Sequence, residues 1–147
     1  MNGRAFFDTN VLVYRFDADE PLKQSRARDL LDTEGRRGTL VLSTQVLQEF
    51  YVSVTRKLKK PLSGQDTWQA ARHLMAFHVV QVDIELISRA ISFSQVHQVS
   101  FWDALVIQTA LQAGCRRLLS EDLQDGRIID HLEIINPFRD LKQNRKR

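Results

Sequence analysis

The sequence predicts an α/β protein, a three-layer α/β/α sandwich around a mainly parallel five-stranded sheet. Three observations carry that reading. Short apolar runs recur near residues 3–8, 39–43, 79–82, 116–120 and 132–135, and segments of helical period separate them. The first run, Arg4-Ala5-Phe6-Phe7, stops on an acid, Asp8, as a strand does at the ligand-binding edge of an open parallel sheet. The 147 residues, 43% of them hydrophobic, are enough for one domain with a real core.

Each element has a local reason. A short helical piece near 10–16 follows the first strand, and a longer helix runs from Pro21, suited to a first helical turn, to Glu34, with Gly35 and Gly38 bracketing the turn. Thr39 to Ser43 is the second strand. Ser43 or Thr44 then caps a helix whose apolar stripe is Val46, Leu47, Phe50, Tyr51, Val54 and Leu58. Pro61 and Gly64 break the chain before a helix around 65–76. Val79 to Val82 is the third strand and 83–97 the next helix. Phe101 to Ala113 is strongly apolar and ends at Gly114. Arg116 to Ser120 is the fourth strand, and Leu132 to Ile135 the fifth, before Pro137. There is no repeat, low-complexity segment or internal linker. The domain is expected to occupy residues 1–141.

Composition excludes several classes. The hydrophobic content is too high for a disordered chain. One cysteine, Cys115, cannot form an internal disulfide, and the four histidines lack metal-finger spacing, so a reducing, cytoplasmic setting is expected. There is no basic-then-apolar leader, and no apolar run approaches the roughly 20 residues that span a bilayer, so no membrane association is expected. The net charge of +3 owes four positives to Lys142, Arg145, Lys146 and Arg147, and residues 1–141 alone carry −1. The segment 142–147 therefore reads as a flexible basic tail that would attract phosphates non-specifically. A second basic cluster, Arg56 to Lys60, ends a helix, where cations complement the dipole or contact phosphate.

The acids repay separate weighing. Asp8 can cap the following helix or serve a site at the sheet edge. Glu49 points about 140° from the centre of its helix's apolar stripe, toward solvent or an open cleft. Ser100-x-x-Asp103 has the form of a capping box, yet the helical wheel sets Asp103 on the buried side, beside Val106, Ile107 and Ala110, where a carboxylate needs compensation. Ser120-Glu121-Asp122-Leu123-Gln124-Asp125-Gly126 follows a strand and reads as a turn or as a source of acids. Carboxylates gathered without His or Cys suit a hard cation, Mg²⁺ or Mn²⁺, and such a site hydrolyses phosphodiesters. No Walker glycine loop, GxGxxG or GxSxG motif offers another chemistry.

Phe7-Asp8-Thr9-Asn10-Val11-Leu12, the helical Glu49, Ser100-Phe101-Trp102-Asp103-Ala104-Leu105 and Leu118-Leu119-Ser120-Glu121-Asp122 resemble the PIN-domain nucleases, in particular the VapC toxins of toxin–antitoxin pairs. The resemblance covers roughly residues 4–138, with the motifs in the family's order. It implies a Mg²⁺-dependent endoribonuclease, with Mn²⁺ as a substitute, in which Asp8, Glu49, Asp103 and Asp122 form an acidic quartet. Asp8, Asp103 and Asp122 would hold the metal, Thr9 and Asn10 would support Asp8, and Asp125 would be a possible fifth acid, with Glu121 and Asp125 the ambiguous choices in their loop. It also implies an RNA substrate, a homodimer, and a cognate antitoxin that inserts into the active-site groove. Three other readings stay in view: a PIN-type RNA-processing nuclease that is not a toxin, a phosphoryl-transfer enzyme of the haloacid-dehalogenase kind, and a non-catalytic α/β binding module. The haloacid-dehalogenase reading is disfavoured because position 10 is Asn where that chemistry wants a second Asp.

Overall fold

A computed structural model of the chain describes residues 3–141, so the basic tail expected at 142–147 lies outside the described residues. The elements in chain order are β1 (Ala5–Phe7), α1 (Thr9–Tyr14), α2 (Pro21–Arg37), β2 (Leu40–Ser43), α3 (Thr44–Arg56), α4 (Gly64–Met75), β3 (His78–Val80), α5 (Ile84–His97), α6 (Phe101–Gln112), β4 (Arg117–Leu119), β5 (Ile128–Ile129) and β6 (Leu132–Ile135). The strands form one sheet in the order β3-β2-β1-β4-β6-β5. All neighbours are parallel except β5, which pairs antiparallel with β6.

The α/β architecture follows from how the apolar residues are distributed. β1 and β2 are buried along their whole length, which is why their sequences are continuous apolar runs rather than alternating ones. In α3, Val46, Phe50 and Val54 recur every four residues and are fully buried, so this helix lays one stripe on the core. α6 is apolar on two sides because it is covered on both: Val106, Ile107 and Ala110 join the main core, while Ala104 and Leu105 pack with Leu86 and Ala90 of α5.

Several expectations need correction. The sheet has six strands rather than five, because Ile128–Ile129 closes a tight hairpin on β6, turned at Asp130 with φ 56°. Two residues are too few to show alternation. Gly35 does not flank a turn but lies inside α2, where a Cβ would stand 3.1 Å from the Phe77 ring; only Gly38, at φ 74°, ends the helix. The third strand begins at His78 and stops at Val80. Tyr51, expected in the α3 stripe, is 55% exposed, because the second half of the helix buries only Phe50 and Val54.

The topology fixes where a site can form. From β1 the chain winds outward through β2 and β3, then returns to place β4 on β1's other side. The crevice beyond the carboxyl ends of β1 and β4 is thus the switch point at which open α/β sheets bind ligands. Asp8 and Ser120 immediately follow those two strands. α6 descends to the start of β4, so its first turn, with Asp103, lies at the same sheet edge.

Candidate active site

Asp8 leaves β1 in an extended conformation and caps α1, its Oδ1 accepting a hydrogen bond from the Thr9 amide at 2.8 Å. Its Oδ2 accepts from the Ser120 hydroxyl at 2.7 Å, across the switch point. Ser120 is completely buried and its Oγ also accepts from the Asp122 amide at 3.1 Å. Asn10 completes the staple: Nδ2 lies 3.3 Å from Ser120 Oγ, 3.2 Å from Asp122 Oδ2 and 3.5 Å from Asp8 Oδ2, while Oδ1 accepts from the Glu121 amide at 3.0 Å. The end of β1 and the loop after β4 are therefore one hydrogen-bonded unit. Glu49 joins it from α3. Its Oε1 accepts from the Thr9 hydroxyl at 2.7 Å and its Oε2 from the Gln45 amide at 3.2 Å.

The electrostatics of this unit are unbalanced. Burial pushes the Asp8 carboxyl up to about 6, from an ordinary 3.8, and the Glu49 and Asp122 charges push the same way; the Ser120 and Thr9 hydrogen bonds offset only part of this. The unit opens into a groove of about 620 Å³ lined by Thr9, Asn10, Glu49, Glu121 and Asp122, with Lys57 among its more distant walls. Gln48, Glu49, Val52, Ser53 and Lys57 form one side, all on a single face of α3.

The donors fit a hard cation. Among the described residues no three His, Cys, Asp or Glu side chains are grouped as a ready metal cage. Mg²⁺ does not require one: it binds through one or two carboxylates and keeps several waters. Asp8 and Asp122, joined through the Asn10 amide, supply such a pair, and burial together with the Glu49 and Asp122 charges raises Asp8 in the absence of an ion.

The other expected acids fall differently. Asp103 is the third residue of α6, and Ser100 Oγ accepts its amide at 3.0 Å, so the cap is real. Its side chain is half-exposed rather than on the buried side, because the first turn of α6 stands at the sheet edge where the covering layers end. Among the described residues its carboxylate makes no hydrogen bond or ion pair. Asp125 is engaged elsewhere, accepting from the Asn136 amide at 2.7 Å and the Arg139 guanidinium at 2.8 Å. Glu121 is bound by the Tyr14 hydroxyl and by Lys23, each at 2.5 Å. Sequence reasoning missed Ser120, Gln45 and Lys23 as parts of this unit. Ser120 had a signal, a small hydroxyl directly after an apolar strand, whereas Lys23 lies 98 positions from its partner and had none.

A family model described as the PIN domain matches residues 5–127. The chain is similar in structure to a toxin–antitoxin complex from Klebsiella pneumoniae, with TM-score 0.66 and 18% identity over 90% of this chain and 97% of the other. It is also similar to a sarcin–ricin-loop-cleaving VapC toxin of Mycobacterium tuberculosis, with TM-score 0.64, 18% identity, 78% of this chain and 86% of that one. A third similar structure is VapBC2 from Rickettsia felis bound to a fragment of promoter DNA, with TM-score 0.62, 16% identity, 88% of this chain and 96% of that one. At these identities the likeness is one of fold. No curated protein matches in sequence.

Proposed function

The chain belongs to the PIN-domain family, and from that premise we propose that it is a metal-dependent endoribonuclease, the toxin of a toxin–antitoxin pair. The observation that carries this reading is the Asp8 carboxyl at the switch point, hydrogen-bonded but paired with no cation among the described residues, with Glu49 and Asp122 beside it on an open groove. A buried carboxylate with acidic neighbours is costly to the fold unless a cation neutralises it.

In this reading Asp8 and Asp122, with Asp103 from the first turn of α6, would hold Mg²⁺ or Mn²⁺, which would supply stabilisation of charge on the scissile phosphate and activation of a water. The chain's own residues set the geometry. Thr9 and Ser120 direct both Asp8 oxygens, and Asn10 fixes Asp122 relative to Asp8. Glu49, whose carboxylate is held by Thr9 and Gln45, would take a proton from the attacking water. Lys57, the C-cap of α3, lies eight residues beyond Glu49, about 12 Å along the helix axis, where it can pair with a flanking phosphate. A cognate antitoxin belongs to the same reading, supported by the toxin–antitoxin assemblies among the structural relatives, and a homodimer is proposed with it from the family resemblance alone.

The test is cleavage of total RNA by purified protein with Mg²⁺, with Zn²⁺ and with excess EDTA. Cleavage with Mg²⁺, little with Zn²⁺ and none in EDTA is expected. Full cleavage in EDTA by protein stripped of contaminating nuclease rejects the metal mechanism. Growth arrest on expression, relieved by co-expressing an adjacently encoded partner, separates a toxin from an RNA-processing nuclease.

A further inference from the structure

The loop after β4 presents two consecutive acids, Glu121 and Asp122, and both line the groove. They are treated very differently. Glu121 has both oxygens occupied: Oε1 accepts from the Tyr14 hydroxyl and Oε2 from the Lys23 ammonium, each at 2.5 Å. Asp122 accepts at Oδ2 only, from the Asn10 amide at 3.2 Å.

Lys23 is not a casual surface partner. It projects from α2, its side chain is only 10% exposed, and its Nζ lies 3.3 Å from the Tyr14 oxygen. The ammonium stands 4.8 Å from the centre of the Tyr14 ring and 5.9 Å from that of Phe138, and the two rings meet edge to face at 5.0 Å. Burial works against its charge, but the bonds to Glu121 and Tyr14 hold its pKa above the ordinary lysine value. A buried ammonium of this kind is strongly destabilising if its partner is removed. Meanwhile the Glu121 amide is tied to Asn10, so the loop backbone is fixed at the same residue whose side chain is drawn aside.

Resting on the metal-nuclease reading above, we propose that Lys23, with Tyr14, is a positioning residue that withdraws Glu121 from the acidic site, so that Asp122 is the loop carboxylate offered to the metal. The device chooses between two adjacent acids that the backbone alone would leave in competition. It also neutralises one of the negative charges that would otherwise add to the crowding around Asp8.

The experiment compares Mn²⁺ binding by calorimetry for the full chain, Lys23→Arg, Lys23→Met and Lys23→Met/Glu121→Gln, with RNA cleavage measured in parallel. Released in Lys23→Met, Glu121 becomes an extra ligand, so Mn²⁺ affinity should rise on the order of fivefold while the cleavage rate at saturating metal falls. Adding Glu121→Gln should return the affinity to the wild-type value, and Lys23→Arg should keep both properties. The double variant carries no unpaired buried charge, which keeps the comparison valid should Lys23→Met fold poorly: its affinity must then match the wild type. Unchanged or weaker Mn²⁺ binding in Lys23→Met, or tightening that survives Glu121→Gln, overturns the inference while leaving the nuclease reading intact. Wild-type protein that neither binds Mn²⁺ nor cleaves RNA overturns both.

Discussion

The two edges of the sheet handle buried charge in opposite ways. At the amino edge, Arg117 at the start of β4 reaches Glu34 of α2 at 2.7 Å, and also the Gly3 carbonyl at 2.7 Å. The Thr39 hydroxyl donates to the same carboxylate. Burial alone would raise the Glu34 pKa, but Arg117 and Thr39 bring it below the usual glutamate value. At the carboxyl edge, a few residues along the same strands, Asp8 faces Glu49 and Asp122 with hydroxyls and amides for company, and its pKa goes up. One edge carries its own cation, while at the other no cation is paired with Asp8 among the described residues.

Breaking the amino edge should have the largest effect on stability. Arg117→Met leaves Glu34 buried without its cation and is expected to cost about 3–5 kcal/mol in denaturant unfolding at pH 7. Because the folded Glu34 pKa is lowered, the pair's contribution is present above the ordinary value of 4.5 and is lost as pH falls through the folded value. The wild-type and variant curves should therefore converge on acidification. A constant gap between pH 7 and pH 3 would mean that packing of the Arg117 stem, not its charge, is what matters.

Asp8→Asn sharpens the contrast, since it should abolish cleavage yet not harm the metal-free fold. A raised carboxyl pKa contributes stability that is complete below 3.8 and lost as pH rises through about 6. At pH 7 the wild type has lost it and the amide has not, and Asn remains a good helix cap. A gain of up to about 2 kcal/mol without metal is expected, shrinking toward pH 4. Added Mg²⁺ should raise the wild-type melting temperature and leave the variant's unchanged. A variant that melts several degrees lower without metal would show that Asp8 is chiefly a cap.

The smallest effect is expected at Asp125, whose exposed pair with Arg139 and single backbone bond stabilise the turn rather than the groove. Asp125→Ala should cost under about 1 kcal/mol and leave RNA cleavage unchanged. A large loss of cleavage would restore it as a fifth acid.

Much of this was legible in the sequence, for physical reasons that also mark where legibility stopped. β1, β2 and α3 read clearly because their burial is expressed in residue order, as continuous runs or as a period of four. β5 was missed because two residues cannot display a pattern, and Gly35 was misread because the close approach of Phe77 that requires it comes from 42 positions away. The strand-end places of Asp8 and Asp122 and the off-stripe place of Glu49 were readable from residue order, but that order alone left each of them open between a cap, turn or solvated side chain and a site. Asp103 was placed too deep because a helical wheel does not know where the covering layers stop. What joins the acids, Ser120 to Asp8 and Lys23 to Glu121, depends on distances that only the folded chain defines.

Asn10 and Ser120 also give the centre a direction. If each hydrogen is followed, Glu121 N–H points to the Asn10 oxygen, Asn10 N–H to Asp122, Asp122 N–H to Ser120, and Ser120 O–H to Asp8. Thr9 sends its amide hydrogen to Asp8 and its hydroxyl hydrogen to Glu49. The Ser120 hydroxyl and the Thr9 amide both end on Asp8, while the other hydrogens end on Glu49, Asp122 and the Asn10 and Ser120 oxygens that link them. With its oxygen already receiving two N–H groups, the Ser120 hydroxyl has a single orientation left, and that orientation is set by the negative charge on Asp8. That one buried hydroxyl therefore registers the loop carrying Asp122 against the end of β1, so a side chain that cannot both accept and donate at position 120 would uncouple the two halves of the crevice without touching either acid.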